Sequence, residues 1–216
     1  MKRKIPCPCD NTFTVEVPES IDLDAQPEYL DKILEGSFMN FICSSCGKKH
    51  KPEFPITLLW PSHGYAFEVL PEGERYAFYR RKKERKTEGA AMETIIGYPE
   101  LADRLTVIRD GLLPIAVEAL KYYILLRAEE TGKGEEISVW YQNRSSDHLE
   151  FHIHGLREGE VAVIRVPLAV YEKTVADFKS HPKGELVSSL HSGTYISVQN
   201  MMSPVLPGQF PSGKIQ

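Results

Sequence analysis

The chain has 216 residues, of which 42% are hydrophobic and 26% are charged, and its 26 Lys and Arg against 30 Asp and Glu give a formal net charge of −4. This composition is typical of a globular protein, and the slightly acidic balance argues against a protein that packages nucleic acid, although not against a local basic patch. Residues 5–10 hold two prolines where a secretion signal needs an apolar stretch, and Glu118 and Lys121 interrupt the most apolar segment, so we expect no signal peptide, no membrane span and a cytoplasmic protein.

All four cysteines of the chain lie in its first 46 residues, as Cys7, Cys9, Cys43 and Cys46. Zinc binds four thiolates at the corners of a tetrahedron, and two short pairs can each supply one edge of it. Cys43 and Cys46 enclose two residues, and Cys7 and Cys9 enclose one, which still places both sulfurs on one face of an extended strand. The pattern favours one structural zinc ion bound by the four cysteines. A redox-active Cys43–Cys46 dithiol and four inert cysteines are the alternatives.

The segments around the cysteines predict a compact, mostly β unit. Residues 11–17 alternate between apolar and polar side chains and predict a strand. Pro27 suits the first turn of a helix that ends at Gly36. Two β-rich runs, residues 65–70 and 75–79, flank a Pro-Glu-Gly-Glu turn and predict a hairpin.

These residues together resemble the CpXC domain, a bacterial and archaeal family that is named for two Cys-Pro-x-Cys-like motifs and has no assigned biochemical function. The resemblance covers residues 1–130 and lies, besides the cysteines, in residues 21–36, 38–43, 54–60, 98–101 and 117–121. It implies a metal-binding module with Cys7, Cys9, Cys43 and Cys46 at the family's cysteine positions, and it implies no activity. The first pair is one residue shorter than the family pattern and the second lacks the proline, so Asp10 or His50 is an alternative fourth ligand in place of Cys7.

Beyond the β unit, residues 80–86 form the sharpest charge run, and residues 87–91 predict a loop. Pro99 then begins a predicted helix, and a second helix follows Asp110-Gly111. The apolar residues of both helices recur at helical spacing, so we interpret them as core and expect the helical pair to pack against the β unit.

Composition shifts again at a break over residues 131–134. The following sequence predicts strands at residues 136–141, 149–154 and 161–166, and then a helix that Pro167 opens and that ends before Pro182. Its buried residues should be Val170, Val175 and Phe178. The last segment, residues 203–216, is rich in Pro and Gly and predicts an extended or disordered tail.

Four polar residues, His148, Glu150, His152 and His154, have even numbers and would share one face of a strand, opposite three apolar side chains. A His-x-His strand with a nearby carboxylate can hold a catalytic metal ion. An amphipathic strand whose polar face meets water explains the same residues without a metal.

Two further patterns carry weaker functional signals. The basic run at residues 80–86, close to Tyr76, Phe78 and Tyr79, could bind phosphates while the rings stack on bases, or it could be a solvated hairpin end. Ser62-His63 and His191-Ser192 place serine beside histidine, but adjacency in sequence does not give the geometry of a catalytic triad, and we interpret both as turns.

The sequence thus predicts an α+β fold: a zinc-ribbon-like β unit with appended helices and a β-rich C-terminal region. We divide it into residues 1–130, residues 131–202 with one helix, and the tail 203–216. Four thiolates leave zinc no open coordination position, so we predict a structural zinc ion, no catalytic residue, and a binding or adaptor role with another protein as partner. Nucleic-acid binding through residues 80–86 and a metal-dependent hydrolase using His152 and His154 are the alternatives.

Overall fold

The computed structural model describes residues 1–81, 92–129 and 137–201, and in these ranges the chain has the mixed α+β fold expected from its sequence. The strands are β1 (Lys2–Pro6), β2 (Thr12–Glu16), β3 (Ser20–Asp22), β4 (Phe41–Ile42), β5 (Lys49–His50), β6 (Ile56–Trp60), β7 (Tyr65–Leu70), β8 (Glu93–Ile96), β9 (Ser138–Arg144), β10 (His148–His154), β11 (Ala162–Pro167), β12 (His191–Ser192) and β13 (Tyr195–Ile196). The helices are α1 (Glu28–Leu34), α2 (Arg75–Arg81), α3 (Tyr98–Arg109), α4 (Pro114–Glu129), α5 (Leu168–Ser180) and α6 (Glu185–Leu190).

Two small antiparallel hairpins carry the cysteines. Strands β1 and β2 pair from Lys2 opposite Glu16 to Pro6 opposite Thr12, and β4 pairs with β5. The alternation that predicted a strand holds, because Ile5 and Val15 are buried while the residues beside them face outward. Each hairpin therefore ends in a turn that presents one pair of cysteines.

The central sheet has six strands in the order β12-β13-β8-β7-β6-β3. Strands β6 and β7 are antiparallel, whereas β8 pairs in parallel with both β7 and β13. Leu58 and Phe67 from its middle are fully buried, as are Leu101 and Leu105 from α3, and all four belong to one apolar core. Because β12 and β13 come from residues 191–196, the end of the described chain completes a sheet that the N-terminal half begins.

The second core lies under the antiparallel sheet β11-β10-β9. Leu149 and Phe151 of β10 are fully buried and pack with Val117 and Leu120 of α4 and with Leu190 at the end of α6. The strands predicted at residues 136–141, 149–154 and 161–166 and the predicted pair of helices α3 and α4 are confirmed, with shifts of up to three residues at their ends. Helix α3 is shared, because its Val107 belongs to the second core.

Two predictions of local structure are wrong. Residues 75–79 form helix α2 and not a hairpin strand, because Arg75 is held by an ion pair with Glu100 of α3, and β8 takes the place beside β7 that the predicted strand would have filled. None of the residues predicted to be buried in α5 is buried: Val170 is 45% exposed, and Val175 and Phe178 are half-buried, since this helix packs through partly buried Tyr171 and Phe178.

Several predicted features lie outside the described residues: most of the basic run, the loop after it, the break at 131–134 and the tail 203–216. In the part of the chain that is described, no helix combines the length and the apolar character that a bilayer crossing requires.

Candidate metal centre

The first cysteine pair sits in a tight turn at the end of the β1–β2 hairpin. The Cys7 amide donates to the Asn11 carbonyl at 2.8 Å, and the Asp10 amide donates to the Cys7 carbonyl at 3.0 Å. Asp10 adopts a left-handed backbone with φ 64°, which Asp tolerates better than most residues do. The turn thereby reverses the chain directly after Cys9 and keeps both thiols on one side.

The second pair sits in an analogous turn that is one residue longer. The Gly47 amide donates to the Cys43 carbonyl and the Cys43 amide donates to the Lys48 carbonyl, both at 2.9 Å. Gly47 has φ 72°, a conformation that costs glycine little. The residue after the second cysteine is left-handed in both turns, so the shorter spacing of Cys7 and Cys9 is compatible with the same chain reversal.

The four sulfurs meet between the two turns. All lie within 4.8 Å of one another, with Cys7 Sγ 3.6 Å from Cys46 Sγ and Cys9 Sγ 3.7 Å from Cys43 Sγ. In a regular tetrahedron with metal–sulfur bonds of about 2.3 Å, neighbouring sulfurs are about 3.8 Å apart. The spacing matches that tetrahedron and is far longer than a disulfide bond of about 2.05 Å. The residues therefore fit a four-thiolate metal site.

Two side-chain nitrogens point at the sulfurs from outside the cluster. Asn11 Nδ2 donates to Cys43 Sγ at 3.5 Å, and His50 Nε2 lies 3.2 Å from Cys7 Sγ. The His50 ring is also held edge-on against Phe13, with ring centroids 5.6 Å apart. From the sequence, His50 was predicted only as a substitute ligand, and no role was predicted for Asn11. The sequence feature that could have revealed Asn11 is its position, because the residue that closes a cysteine turn lies within reach of the sulfurs.

The electrostatics of the cluster favour at least one thiolate. The hydrogen bond from Asn11 lowers the pKa of Cys43 to about 6, although burial raises it. The backbone amide of Cys9 lowers the pKa of Cys7, but burial and the three neighbouring thiols together raise it to about 12. Four thiols this close cannot all ionise by themselves, because like charges repel. A bound divalent cation would supply the positive charge that keeps all four ionised.

The histidine face of β10 is ordered differently. Glu150 lies between Arg165, at 3.2 Å, and His152, at 3.6 Å, while His154 is exposed at the end of the strand. Arg165 lowers the pKa of Glu150 through a hydrogen bond and its charge. Among the described residues, the four cysteines form a group of three or more metal-ligating side chains whose ligand atoms converge, and this face does not.

Of the remaining sequence candidates, Ser62-His63 lies in a turn as predicted, whereas His191-Ser192 forms strand β12 and not the predicted turn, because it pairs with β13. Ser62 Oγ lies 2.6 Å from Asp24 Oδ1 and 2.9 Å from His63 Nδ1, so serine stands between acid and histidine and the order of a catalytic triad is not formed. Gly64 follows in a left-handed conformation, as in a turn. Of the basic run, Arg80 and Arg81 end α2, and residues 82–86 lie outside the described residues.

A buried network of charges, which was not predicted from the sequence, lies between the two cores. Lys121 Nζ donates to Asp103 Oδ2 at 2.5 Å and to Glu118 Oε1 at 2.7 Å, and Arg104 pairs with Glu93. Burial lowers the pKa of Lys121, but Asp103 and Glu118 raise it more, so the ammonium stays charged. The signal was the i,i+3 spacing of Glu118 and Lys121 inside an otherwise apolar helix.

The comparisons with known proteins agree with the paired cysteines. The family model described as CpXC protein matches residues 5–121, which is more than half of the chain. The chain belongs to the CpXC family. A protein of Treponema pallidum (strain Nichols), described as an uncharacterized protein, is 28% identical over 214 residues, which cover 91% of this chain and 97% of that protein. No solved structure matches the chain.

In this CpXC protein the matched span holds both cysteine turns and the charged side chains of α3 and α4 up to Lys121. It ends before the three-stranded sheet and before β12 and β13, which complete the central sheet. The family unit and the rest of the chain therefore share one sheet.

Proposed function

We propose that Cys7, Cys9, Cys43 and Cys46 bind one structural zinc ion, and that the protein is a zinc-stabilised binding or adaptor protein whose partner is another protein. The observation that carries the zinc assignment is the convergence of four sulfurs within 4.8 Å, at distances that suit a tetrahedron. Four thiolates suit zinc, because soft sulfur ligands in a tetrahedron select it over the hard cations that prefer oxygen.

The structural role follows from the ligand count. A catalytic zinc ion has three protein ligands and keeps a position for water or substrate, whereas four protein ligands close the site. The zinc ion would join two hairpins that are otherwise short, since β4 and β5 have two residues each. Ile42, which precedes Cys43, is 61% exposed, so the metal turn presents an apolar side chain to a partner.

Cobalt(II) substitution tests the ligand set. Cobalt(II) in a tetrahedral thiolate site gives intense visible and sulfur-to-metal charge-transfer bands, whose intensity grows with the number of sulfur ligands. We expect the spectrum of four thiolates in the wild type and the loss of these bands in the Cys7→Ser variant, with the spectrum of His50→Ala unchanged as the matched control. If His50→Ala changes the spectrum and Cys7→Ser does not, the fourth ligand is His50 and not Cys7.

The binding role is tested by comparing three activities of the zinc-loaded chain. If the chain is a binding protein, the wild type should capture a defined protein in pull-down experiments. The Cys46→Ser variant should not capture it. Binding of a labelled oligonucleotide that weakens steeply with salt would instead favour the nucleic-acid alternative. A second metal equivalent that is lost on His152→Ala and His154→Ala would favour the hydrolase.

A further inference from the structure

We propose that the CpXC unit carries a peptide-binding groove, which is filled in this chain by the chain's own residues 191–200, here termed the strap. The groove is formed by side chains of α2, β8, α3 and α4: Arg75, Tyr79, Thr94, Glu100, Arg104 and Glu118. The partner in trans would be an extended peptide that presents a tyrosine to the same groove. This inference rests on the proposed binding role and names the chemistry of the partner.

The strap adds to the edge of the sheet as a short hairpin of β12 and β13, of which β13 lies in parallel beside β8, and it ends in a 3-10 turn at Val198–Asn200. Tyr195 pairs with Thr94 in parallel, and the Thr94 amide donates to the Thr194 carbonyl at 3.0 Å. The two threonine hydroxyls share a further hydrogen bond of 2.8 Å. Without the strap, β8 would be the edge of the described central sheet, and an edge strand is the site at which an extended peptide is added.

A single aromatic side chain anchors the strap. Tyr195 is fully buried, and its ring meets Phe78 and Tyr79 of α2 edge-on, with centroids 5.6 and 6.3 Å apart. Its hydroxyl accepts from Arg75 at 2.7 Å and donates to the Glu100 carboxylate, whose oxygens lie 2.8 and 2.9 Å away. A buried aromatic group in a satisfied polar pocket is typical of the residues that dominate peptide recognition.

Buried charged side chains of the groove form hydrogen bonds with the backbone of the strap. Arg104 donates to the Ile196 carbonyl at 2.6 Å, and Glu118 accepts from the Val198 amide at 2.8 Å. Both side chains are almost completely buried, which is costly unless their hydrogen bonds are made. Main-chain contacts of this kind bind an extended segment whatever its sequence, while the Tyr195 pocket and the Tyr79 hydroxyl, which donates to Asn200, select particular side chains.

Two further observations indicate that the groove and the strap that occupies it are distinct parts of the chain. Every groove residue lies within the family span 5–121, and the strap lies outside it. A cavity of about 20 Å³, large enough for about one water molecule, lies between Glu118 and Lys121 on the groove side and Ser197, Val198 and Gln199 on the strap side. The contact around this cavity is thus partly polar and incompletely filled, while Val198 of the strap also packs into the second core.

The test uses the full-length chain and a fluorescein-labelled peptide of residues 189–201. In the wild type the attached strap competes at an effective concentration in the millimolar range, so trans binding should be weak. Tyr195→Ala in the chain removes the anchor and should tighten binding of the peptide roughly 100-fold, since loss of a buried aromatic side chain weakens the strap by that order. A peptide with Tyr195→Ala should not bind, and one with Tyr195→Phe should bind about 10-fold more weakly because the hydroxyl bonds are lost.

A folded Tyr195→Ala chain that binds no peptide, or binds the tyrosine and alanine peptides equally, would overturn the groove. If this variant does not fold alone, the tyrosine peptide must restore its helical circular dichroism and the alanine peptide must not; failure to restore it also overturns the proposal. Zinc content is measured on the same samples. One zinc per Tyr195→Ala chain without peptide binding would refute the groove alone, whereas peptide binding by a Tyr195→Ala chain without zinc would refute the structural zinc proposal alone.

Discussion

The cysteine cluster and the buried charge network are built in opposite ways. Each cysteine turn is closed by hydrogen bonds between residues three to five apart, and the four sulfurs meet between the two turns. The charge network joins residues that are far apart in sequence, such as Lys121 with Asp103, 18 residues away, and Glu118 with the Val198 amide, 80 residues away. The first site is local chemistry carried by two hairpins, and the second exists only after the whole fold has formed.

The largest effect should come from opening the metal site. Cys46→Ser removes one thiolate, and because a structural zinc ion can contribute about 10 kcal/mol to folding, we expect the N-terminal hairpins to unfold and the metal to be lost. Thermal denaturation measures the loss of stability, and hydrogen exchange of the backbone amides in β1 to β5 shows where the chain unfolds. Ser45→Ala, in the same turn, is the matched control and should change nothing. Retained stability of the Cys46→Ser variant would contradict the structural role.

The charge network should give the next largest effect. Lys121→Met removes the ion-pair partner of buried Asp103 and leaves buried Glu118 with Arg104, 3.8 Å away, as its remaining cation, and removal of one member of a buried ionic group costs about 3–5 kcal/mol of unfolding free energy. Urea denaturation of the zinc-loaded protein measures the loss. Arg157→Met breaks an exposed ion pair with Glu160 and should cost less than about 1 kcal/mol. Equal losses for both variants would mean that burial does not set the energy of the network.

A pH dependence should follow from Glu100. Burial raises its pKa, Arg75 and Tyr195 lower it, and Glu118 raises it further, with a result of about 7 against an ordinary value of 4.5. Because the folded state holds the proton more tightly than the unfolded state, the stability from protonated Glu100 is present below pH 4.5 and is lost as the pH rises through 7.

Glu100→Gln stays neutral at every pH and isolates this effect. The unfolding free energy of the wild type should fall relative to the variant by about 3 kcal/mol between pH 5 and pH 8. Denaturant titrations of both proteins at matched pH cancel the loss of metal in acid, which both proteins share. A difference between them that stays constant over this range would show that Glu100 does not titrate there.

The smallest effect should come from backbone strain in the second cysteine turn. Gly47 has φ 72° and open space where a Cβ would lie, so Gly47→Ala should cost roughly 1 kcal/mol through its conformation alone. Gly73 is equally open and lacks this left-handed conformation, so Gly73→Ala is the matched control and should not be destabilising. Differential scanning fluorimetry distinguishes them. A more stable Gly47→Ala variant would contradict the geometry of the turn.

The sequence could predict features whose causes are local. The cysteine pairs, the alternation in β2 and β10 and the helical spacing of α3 and α4 depend on neighbours in the chain, and all lie where expected. The aromatic run after Arg75 favoured a strand, but a long-range ion pair with Glu100 and the pairing of β8 with β7 decide its structure. Glu118 and Lys121 were visible as interruptions of an apolar helix. Their partners on α3 and in the strap depend on topology, which a single sequence does not reveal.

The central claim is that four cysteines hold one structural zinc ion, and elemental mass spectrometry of the untagged protein tests it most directly. Metal content is measured per chain before and after chelation, together with thermal stability and the number of reactive thiols. We expect one zinc ion per chain, four protected thiols and a loss of stability when the metal is removed. A stable chain with no metal and four free, reactive thiols would contradict the account.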